Sequence, residues 1–573
     1  MKILSAQDMA AADKRAVEAS VPVATLMHNA GASVAKFCLR RWPHAGTGEG
    51  VIVALCGKGN NGGDGMVAAQ ELARAGRTVR IALLGAAAEV KGDAAEVLAS
   101  ARKPGGPEFV EVSDEAGLRE ALEGAVLLLD AIVGTGFKPP LRGLAAGARD
   151  LIAASSVAVV AVDLPSGWDA NAMTLQAGSL DESGLQPFRA DAVVTFAAPK
   201  LAHIFGFLTT GGGAKTADTF GPVVVADIGI PGKAVQSSTG LQWGGASKAI
   251  AEAPRSMDGN KGRFGHVLVV GGALGKAGAP AMASLAALRA GAGLVTAAVP
   301  REILPTVANV APELMLTPLE MASDFDGAGL DARQLLGDGL KALLKGINVL
   351  AVGPGLGQQG ETPEFVRTLL ERTTLALVLD ADGLNAIAAD MGSLREATET
   401  GRREGKPRTI VLTPHPGEMA RLTGMTVREV ESDRIGIARR FVREYGVTLV
   451  LKGWRTLVVS PGGRIAVNTT GNPAMSKGGS GDILTGIVAA MLAQYAVDKD
   501  GTVADPARVA QAVEAAVSLH GLAADFATLA QDEHTVLATD TVAHLADAFR
   551  ARLTDEDGLT WITGLAGRCS PRR

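Results

Sequence analysis

Short apolar runs that stop abruptly at glycine, aspartate or proline recur along the whole chain, and this rhythm limits the fold more than any other feature. Val51 to Leu55 runs into Gly57-Lys58-Gly59-Asn60-Asn61-Gly62-Gly63-Asp64-Gly65, and a helix-like Met66 to Ala75 follows. Arg77 to Leu84 is the next strand. Val126 to Asp130 then enters Ala131-Ile132-Val133-Gly134-Thr135-Gly136, and Val157 to Val162 enters Asp163-Leu164-Pro165-Ser166-Gly167. Runs of this length, rich in Val, Ile and Leu, are long enough for buried strands and too short for core helices. Separated by helical patterns, they predict parallel sheets covered on both faces. Upstream, Ala10 to Ala19 and Leu26 to Leu39 have helical spacing, broken at Pro22.

The rhythm returns after residue 260. Val267 to Val270 enters Gly271-Gly272, Gly293 to Val299 ends at Pro300, and Asn348 to Val352 enters Gly353-Pro354-Gly355-Leu356-Gly357. Leu375 to Leu379 enters Asp380-Ala381-Asp382-Gly383, Thr409 to Leu412 enters Thr413-Pro414-His415-Pro416-Gly417-Glu418, and Val447 to Leu451 enters Lys452-Gly453-Trp454-Arg455. The stretch Asn472 to Gly486, NPAMSKGGSGDILTG, joins a strand-like run ending at Val467 to the apolar helix Ile483 to Gln494. Glycines 478, 479 and 481 let backbone N–H groups converge on an anion with the helix dipole behind them. Asp482 stands at the mouth of that cradle, where a carboxylate either caps the helix or takes a proton from a substrate hydroxyl. His415, held between two prolines, is expected to position a ligand rather than to pack or cap. Lys452, at a strand end near the cradle, is expected to partner phosphate. The chain has no GxxxxGK[ST] phosphate loop and no His/Cys spacing of a metal site.

A length of 573 residues calls for two large domains, and 47% hydrophobic residues with 72 glycines and few aromatics suit Ala/Val/Leu-packed α/β architecture. The net charge of −5 gives no global attraction to nucleic acid or to an acidic membrane, so small-molecule chemistry is the expectation. Cys38, Cys56 and Cys569 share no metal-like spacing and build no disulfide framework, which fits a reducing cytoplasm, with Cys56 read as a buried strand residue. Asp8, Asp13 and Lys14 interrupt the start before any signal-peptide run develops, and no continuous apolar span is long enough for a membrane helix.

In a parallel sheet the strands' carboxyl ends face one crevice, so Asp64, Asp130, Asp163 and Ser166 are expected to converge. Several carboxylates together require a cation or protons between them. The motifs GNNGGDG, DAIVGTG, VDLPSG, TFAAPK at Thr195 to Lys200 and VADIGIP at Val225 to Pro231 together resemble the NAD(P)H-hydrate epimerase domain. The resemblance implies a Rossmann-like domain over residues 1–235, with K+ held by Asn61, Asp130 and Ser166. It also implies that Asn60, Asn61, Gly62, Gly63 and Asp64, the turn Gly134, Thr135, Gly136, Phe137, Lys138, Pro139 and Pro140, and a catalytic Asp163 hold the hydrated nucleotide. Two segments depart from the pattern, WDANAMTLQAG after Gly167 and FKPPLRG after Gly136.

Residues 236–253, rich in Ser, Gly and Ala, are the expected linker. Beyond it, KGRFGHVLVVGG, AALRAGAGLVT, APELM, GPGLG, LDADGLN, TPHPGE, VLKG and NPAMSKGGSGDILTG follow the order of the ADP- or ATP-dependent NAD(P)H-hydrate dehydratases. This resemblance implies a ribokinase-like domain over 254–550, so that the whole chain is α/β, two three-layer domains. Gly355, His415 and the base Asp482 would contact the hydrate, with Mg2+ as cofactor and ADP or ATP as phosphoryl donor. Lys452, Gly453, Trp454, Arg455 and Thr456, with Ser476, Lys477, Gly478, Gly479, Ser480 and Gly481, would hold the adenine nucleotide. Residues 551–573 are expected to be a tail, loose and basic from Gly567 onward, and the enzyme a homo-oligomer acting on NADHX and NADPHX. The glycine-rich loop alone also fits a kinase that leaves a stable phosphorylated product. The first half also admits a scaffold without chemistry, against which its several crevice carboxylates argue.

Overall fold

The structure is a computed structural model describing residues 1–173, 187–209, 221–322, 329–403, 408–498, 503 and 505–569. The chain divides into two compact units, Met1–Leu241 with Arg552–Arg573, and Gln242–Ala551. Both are α/β, as the strand rhythm predicts. No helix among the described residues is long and apolar enough to cross a membrane.

Unit 1 is built on β1 (Val51–Cys56), β2 (Val79–Leu84), β3 (Glu108–Val112), β4 (Ala125–Ala131), β5 (Ala158–Val162), β6 (Ala192–Phe196) and β7 (Val223–Ala226). These pair in parallel in the order β7-β6-β5-β4-β1-β2-β3. All six residues of β1 are buried, as expected for a strand covered on both faces. The helix after it, Asn60–Arg74, starts six residues earlier than the sequence suggests. Its glycines therefore lie inside helical turns instead of a loop. A Cβ on Gly62 would run into the Gly57 carbonyl oxygen and one on Gly65 into Ala131, so these glycines let the helix press onto the sheet.

Unit 2 contains β8 (Leu241–Trp243), β9 (His266–Val270), β10 (Leu294–Pro300), β11 (Met315–Leu319), β12 (Val349–Val352), β13 (Ala376–Leu379), β14 (Ile410–Leu412), β15 (Thr448–Leu451), β16 (Leu457–Val459) and β17 (Ile465–Val467). The sheet order is β11-β10-β9-β12-β13-β14-β15-β16-β17-β8, parallel as far as β15, with β15, β16 and β17 forming an antiparallel meander. The helix Ser480–Tyr495 is buried from Ile483 to Ala493 and packs on Gly278–Arg289, with Gly486 beneath the Ala283 carbonyl.

Two expectations need correction. The segment 236–253 is not a free linker: β8 joins the second sheet, Trp243 is buried with its indole N–H on Thr469 Oγ1 at 2.8 Å, and Lys248, 0% exposed, donates to the Ala551 carbonyl at 2.5 Å. Nor is the segment after residue 550 a tail. It returns to unit 1 as β18 (Leu559–Thr563), antiparallel to β7 and closing that edge, followed by the helix Leu565–Cys569. Residues 570–573 of the expected tail, and the divergent segment from residue 174 onward, lie outside the described residues.

Candidate active sites

In unit 1 the strands fan outward in opposite directions from the β1/β4 boundary, which is where crossovers part and open a crevice at the carboxyl ends. A cavity of about 610 Å3 lies there, lined among others by Asn60, Asn61, Asp64, the turn from Ile132 to Phe137, Asp163, Lys200 and Asp13. Asp163, one residue beyond β5, takes φ +66, a left-handed conformation that costs a non-glycine residue about 1–3 kcal/mol. Its surroundings hold it there. Lys200 Nζ donates to Oδ1 at 2.7 Å and Thr195 Oγ1 to the same oxygen at 2.8 Å, while Oδ2 receives the Thr135 hydroxyl and, at 3.3 Å, the Thr135 N–H. Burial by itself would raise this carboxyl, but the Lys200 ammonium outweighs it and holds Asp163 well below the usual carboxylate range. Behind the pair, His203 Nδ1 accepts the Lys200 N–H at 2.9 Å, so Nε2 donates to the Asp163 carbonyl at 2.7 Å. Burial, aided by Lys200, lowers that imidazole to about 4 and keeps it neutral.

Asp130 ends β4 and is 0% exposed. It is answered by neutral donors: Ser166 N at 2.7 Å, Ser166 Oγ at 2.6 Å and the Ile132 N–H at 3.4 Å. Burial pushes it up to about 6 against those hydrogen bonds. Asn61 Nδ2 is buried and unpartnered, and its amide lies against Gly134. The structure thus brings Asp130 and Ser166 into contact and sets Asn61 beside the turn after β4.

Of the predicted hydrate ligands, Asn60, Asn61, Asp64, Gly134, Thr135, Gly136, Phe137 and Asp163 line the cavity. Gly62 is turned onto the Gly57 backbone and Gly63 onto Met27 and Ala94 of neighbouring helices, while Lys138, Pro139 and Pro140 are exposed beyond the lining. Sequence reasoning gave no role to Lys200, although it closes the TFAAPK motif. It also missed Asp13, whose position on the polar side of the helix Ala6–Glu18 carries no signal of its own.

In unit 2 the reversal falls between β9 and β12, where Gly272 N donates to the Pro354 carbonyl at 2.8 Å and Gly355 follows. The segments after β13, β14 and β15 and the start of the helix Ser480–Tyr495 bring their charges together. Asp380, buried after β13, accepts Lys452 Nζ at 2.7 Å and the Thr485 hydroxyl at 2.7 Å, and Glu418 lies 3.7 Å from the same ammonium. Burial opposes the charge on Lys452, but Asp380 and Glu418 hold it above its ordinary value. Asp382 accepts the Gly357 N–H at 2.8 Å and stands 3.7 Å from Lys276. Asp482 is the third residue of Ser480–Tyr495, behind Gly479 at φ +95. Its carboxylate makes no hydrogen bond among the described residues. Burial first, then Asp380, Asp382 and Glu418, raise it to about 6 against the pull of Lys452.

His415 also has a structural role. Its Nδ1 accepts the Gly417 N–H at 3.0 Å and the Glu418 N–H at 3.4 Å, so the residue caps the helix Pro416–Thr423. The ring is 51% exposed, with Nε2 3.5 Å from Glu418. Burial lowers its pKa, so the ring that faces the site is neutral. Lys477 donates to the His534 and Val536 carbonyls at 2.6 Å each, and Arg455, buried at φ +54, donates to the Thr469 carbonyl at 2.9 Å. Both side chains brace loops. Asp380, Asp382 and Glu418 carried the same strand-end signal as the chosen residues and were given no role.

Two family models match the chain: one described as NAD(P)H-hydrate dehydratase over residues 267–547, the other as YjeF-related protein N-terminus over residues 23–202. The bifunctional NAD(P)H-hydrate repair enzyme Nnr of Moorella thermoacetica is 38% identical over 556 residues, 96% of this chain and 97% of its own. That of Pyrobaculum aerophilum is 35% identical over 556 residues, 96% of this chain and 98% of its own. Among solved structures, the ADP/ATP-dependent NAD(P)H-hydrate dehydratase of Bacillus subtilis, co-crystallized with ATP and Mg2+, is 28% identical with a TM-score of 0.41. The match covers 54% of this chain and 96% of that one.

Proposed function

The chain belongs to the family of bifunctional NAD(P)H-hydrate repair enzymes, and from that premise we propose that unit 1 interconverts the R and S hydrates while unit 2 dehydrates the S epimer with ADP or ATP. Phosphate is released, and ADP leaves as AMP. The observation that carries the reading of unit 2 is Asp482: a carboxylate with no hydrogen bond among the described residues, at the start of a buried helix, raised to about 6 and so ionised at neutral pH. Hydration leaves a hydroxyl on C6 of the nicotinamide ring, next to the ring nitrogen, and hydroxide is a poor leaving group. Asp482 takes the hydroxyl proton as the oxygen attacks the terminal phosphoryl group, whose charge the N–H groups around Gly478 to Gly481 receive. The ring nitrogen lone pair then expels phosphate, the resulting N1=C6 iminium gives up a proton from C5 to solvent, and the C5=C6 bond of NAD(P)H is restored.

Unit 1 makes the whole pool available to that stereospecific step. Its crevice suits a cation, since Asp130 is fully buried and makes no ion pair among the described residues, while the unpartnered Asn61 amide lies against Gly134 in the turn that follows. Asn61, Asp130 and Ser166 would hold K+, whose charge would draw the nucleotide phosphate toward a crevice otherwise rich in carboxylates. In unit 2 the carboxylates Asp380, Asp382, Glu418 and Asp482 suit a phosphate that arrives with Mg2+, a hard cation that keeps waters and phosphate oxygens as ligands. A cytoplasmic setting belongs to the same reading, supported by the free thiols of Cys38 and Cys56.

The test is to give the purified protein an epimer mixture of hydrated NADH with ADP or ATP and to follow NADH absorbance and phosphate release. Complete conversion with stoichiometric phosphate is expected. A stable phosphorylated product, or no change with either nucleotide, would sink the dehydratase reading.

A further inference from the structure

The cavity of unit 1 is lined by five ionisable side chains, Asp13, Lys58, Asp64, Asp163 and Lys200. Three of them are already engaged. Lys58 pairs with Glu89 at 2.6 Å. Asp163 accepts two hydrogen bonds on each oxygen, which fills the four acceptor positions of a carboxylate. Lys200, 1% exposed, spends its three donors on Asp163, Thr195 Oγ1 at 2.8 Å and the Phe196 carbonyl at 3.2 Å. Neither member of that buried pair has a free position from which to exchange a proton with a bound molecule. Asp13 and Asp64 make no hydrogen bond or ion pair among the described residues, and both open on the cavity.

The geometry points to Asp13, working with Asp64, as the proton-transfer group of unit 1, with Asp163 a positioning residue that fixes Lys200 and the Thr135 turn. This assignment rests on the epimerase reading of that unit. Epimerisation at C6 needs one base and one acid at once. The Asp13 carboxylate takes the hydroxyl proton as the C6–N1 bond breaks and its electron pair passes to N1, where the Asp64 carboxyl delivers a proton. The resulting aldehyde turns about the C5–C6 bond. Both transfers then run backwards on the other face: N1 returns its proton to Asp64, and Asp13 returns its proton to oxygen. No atom, electron or co-reactant is left over.

The charges around Asp13 support these roles. It faces Asp64 and Lys58 from the turn and helix after β1, Asp163 after β5 and Lys200 after β6. Asp13 is exposed to solvent at the cavity, and the desolvation it still suffers there pushes it up to about 6, Lys200 opposing and Asp163 assisting, so it is mostly ionised at neutral pH. Asp64 is raised well above its ordinary value, by burial and then by Asp163 and Asp13, which favours its proton-carrying form.

The experiment is a progress curve on an epimer mixture with excess nucleotide, corrected for spontaneous epimerisation. The fast phase, carried by unit 2, reports the amount of folded enzyme, and the slow phase reports unit 1. Asp13→Asn is expected to slow the second phase ~100-fold or more through kcat, with KM little changed, and to erase the fall in rate below pH about 6 expected of wild type. Asp13→Glu is expected to restore part of the rate and the acid limb. A second phase within about threefold of wild type in Asp13→Asn, with its acid limb intact, overturns the assignment and leaves the epimerase reading standing. A wild type with no second phase above background overturns that reading, and the assignment with it.

Discussion

In unit 1 the motif aspartate Asp163 lies beyond a strand in a net of four hydrogen bonds, one of them from an ammonium, whereas in unit 2 Asp482, near the start of a helix, makes no hydrogen bond among the described residues. The glycines around them differ in the same way. Gly62 lies inside a helical turn and removes a methyl group that would strike the Gly57 carbonyl, while Gly478 precedes a helix in open space. One unit uses its motif to build a rigid wall, and the other uses a similar composition to leave backbone and carboxylate open to a ligand. A carboxylate's place in a motif therefore says less about its chemistry than the number of its acceptor positions that neighbours have filled.

The sharpest way to break this contrast is Asp482→Asn, which keeps shape and removes the base. NADH recovery is expected to fall by ~100-fold to 10,000-fold with adenine nucleotide binding nearly intact, read by calorimetry alongside turnover. A loss under about tenfold, ~1.4 kcal/mol, would make Asp482 only a helix-end charge. Asp163→Ala tests the other side. It strands the Lys200 ammonium in a buried site, so unit 1 is expected to lose roughly 3–5 kcal/mol in denaturant unfolding and to stop epimerising, while the competent epimer is still dehydrated. Unchanged stability there would mean that Asp163 is not a strut. Gly62→Ala is expected to cost about 1–3 kcal/mol in the same unfolding transition.

Smaller effects refine the comparison. Because Asp482 must be ionised to accept a proton and burial sets it at about 6, dehydration is expected to be flat above that pH and to fall tenfold per unit well below it. A rate that holds steady down to pH 5 would remove Asp482 from the step. Gly478→Ala, with nothing near the added methyl, is expected to leave stability within ±0.5 kcal/mol and to appear, if anywhere, in the KM for nucleotide.

Much of the architecture is legible from residue order. Each of the ten strands placed from apolar runs exists within two residues of its expected ends, because local burial on both faces writes itself into Val, Ile and Leu. Crevice residues at strand ends, such as Asp130 and Ser166, are legible for the same reason. What escapes is non-local. Leu559–Thr563 has only five residues among polar neighbours and earns its strand by docking on β7, a partner no window of sequence contains. The supposed linker carries little periodicity because a three-residue strand and a turn of tight helix have none to show. Asp13 is an ordinary polar residue of an amphipathic helix until the fold turns that face toward Asp64 and Lys200. His415 adds a local feature that the flanking prolines mask: it caps the helix that follows, with half of its side chain still exposed.

The return of β18 to β7 also orders events during synthesis. The Val223 N–H finds its acceptor on Thr563, 340 positions later, so a ribosome must make all of unit 2 before the first sheet can be sealed. At ~5–20 residues per second that interval is roughly 15–60 s, during which β7 presents an unpaired strand edge to whatever is nearby. A frameshift or stop codon anywhere within the second unit therefore strips the first of its edge strand, and a gene lesion that looks confined to one activity reaches both.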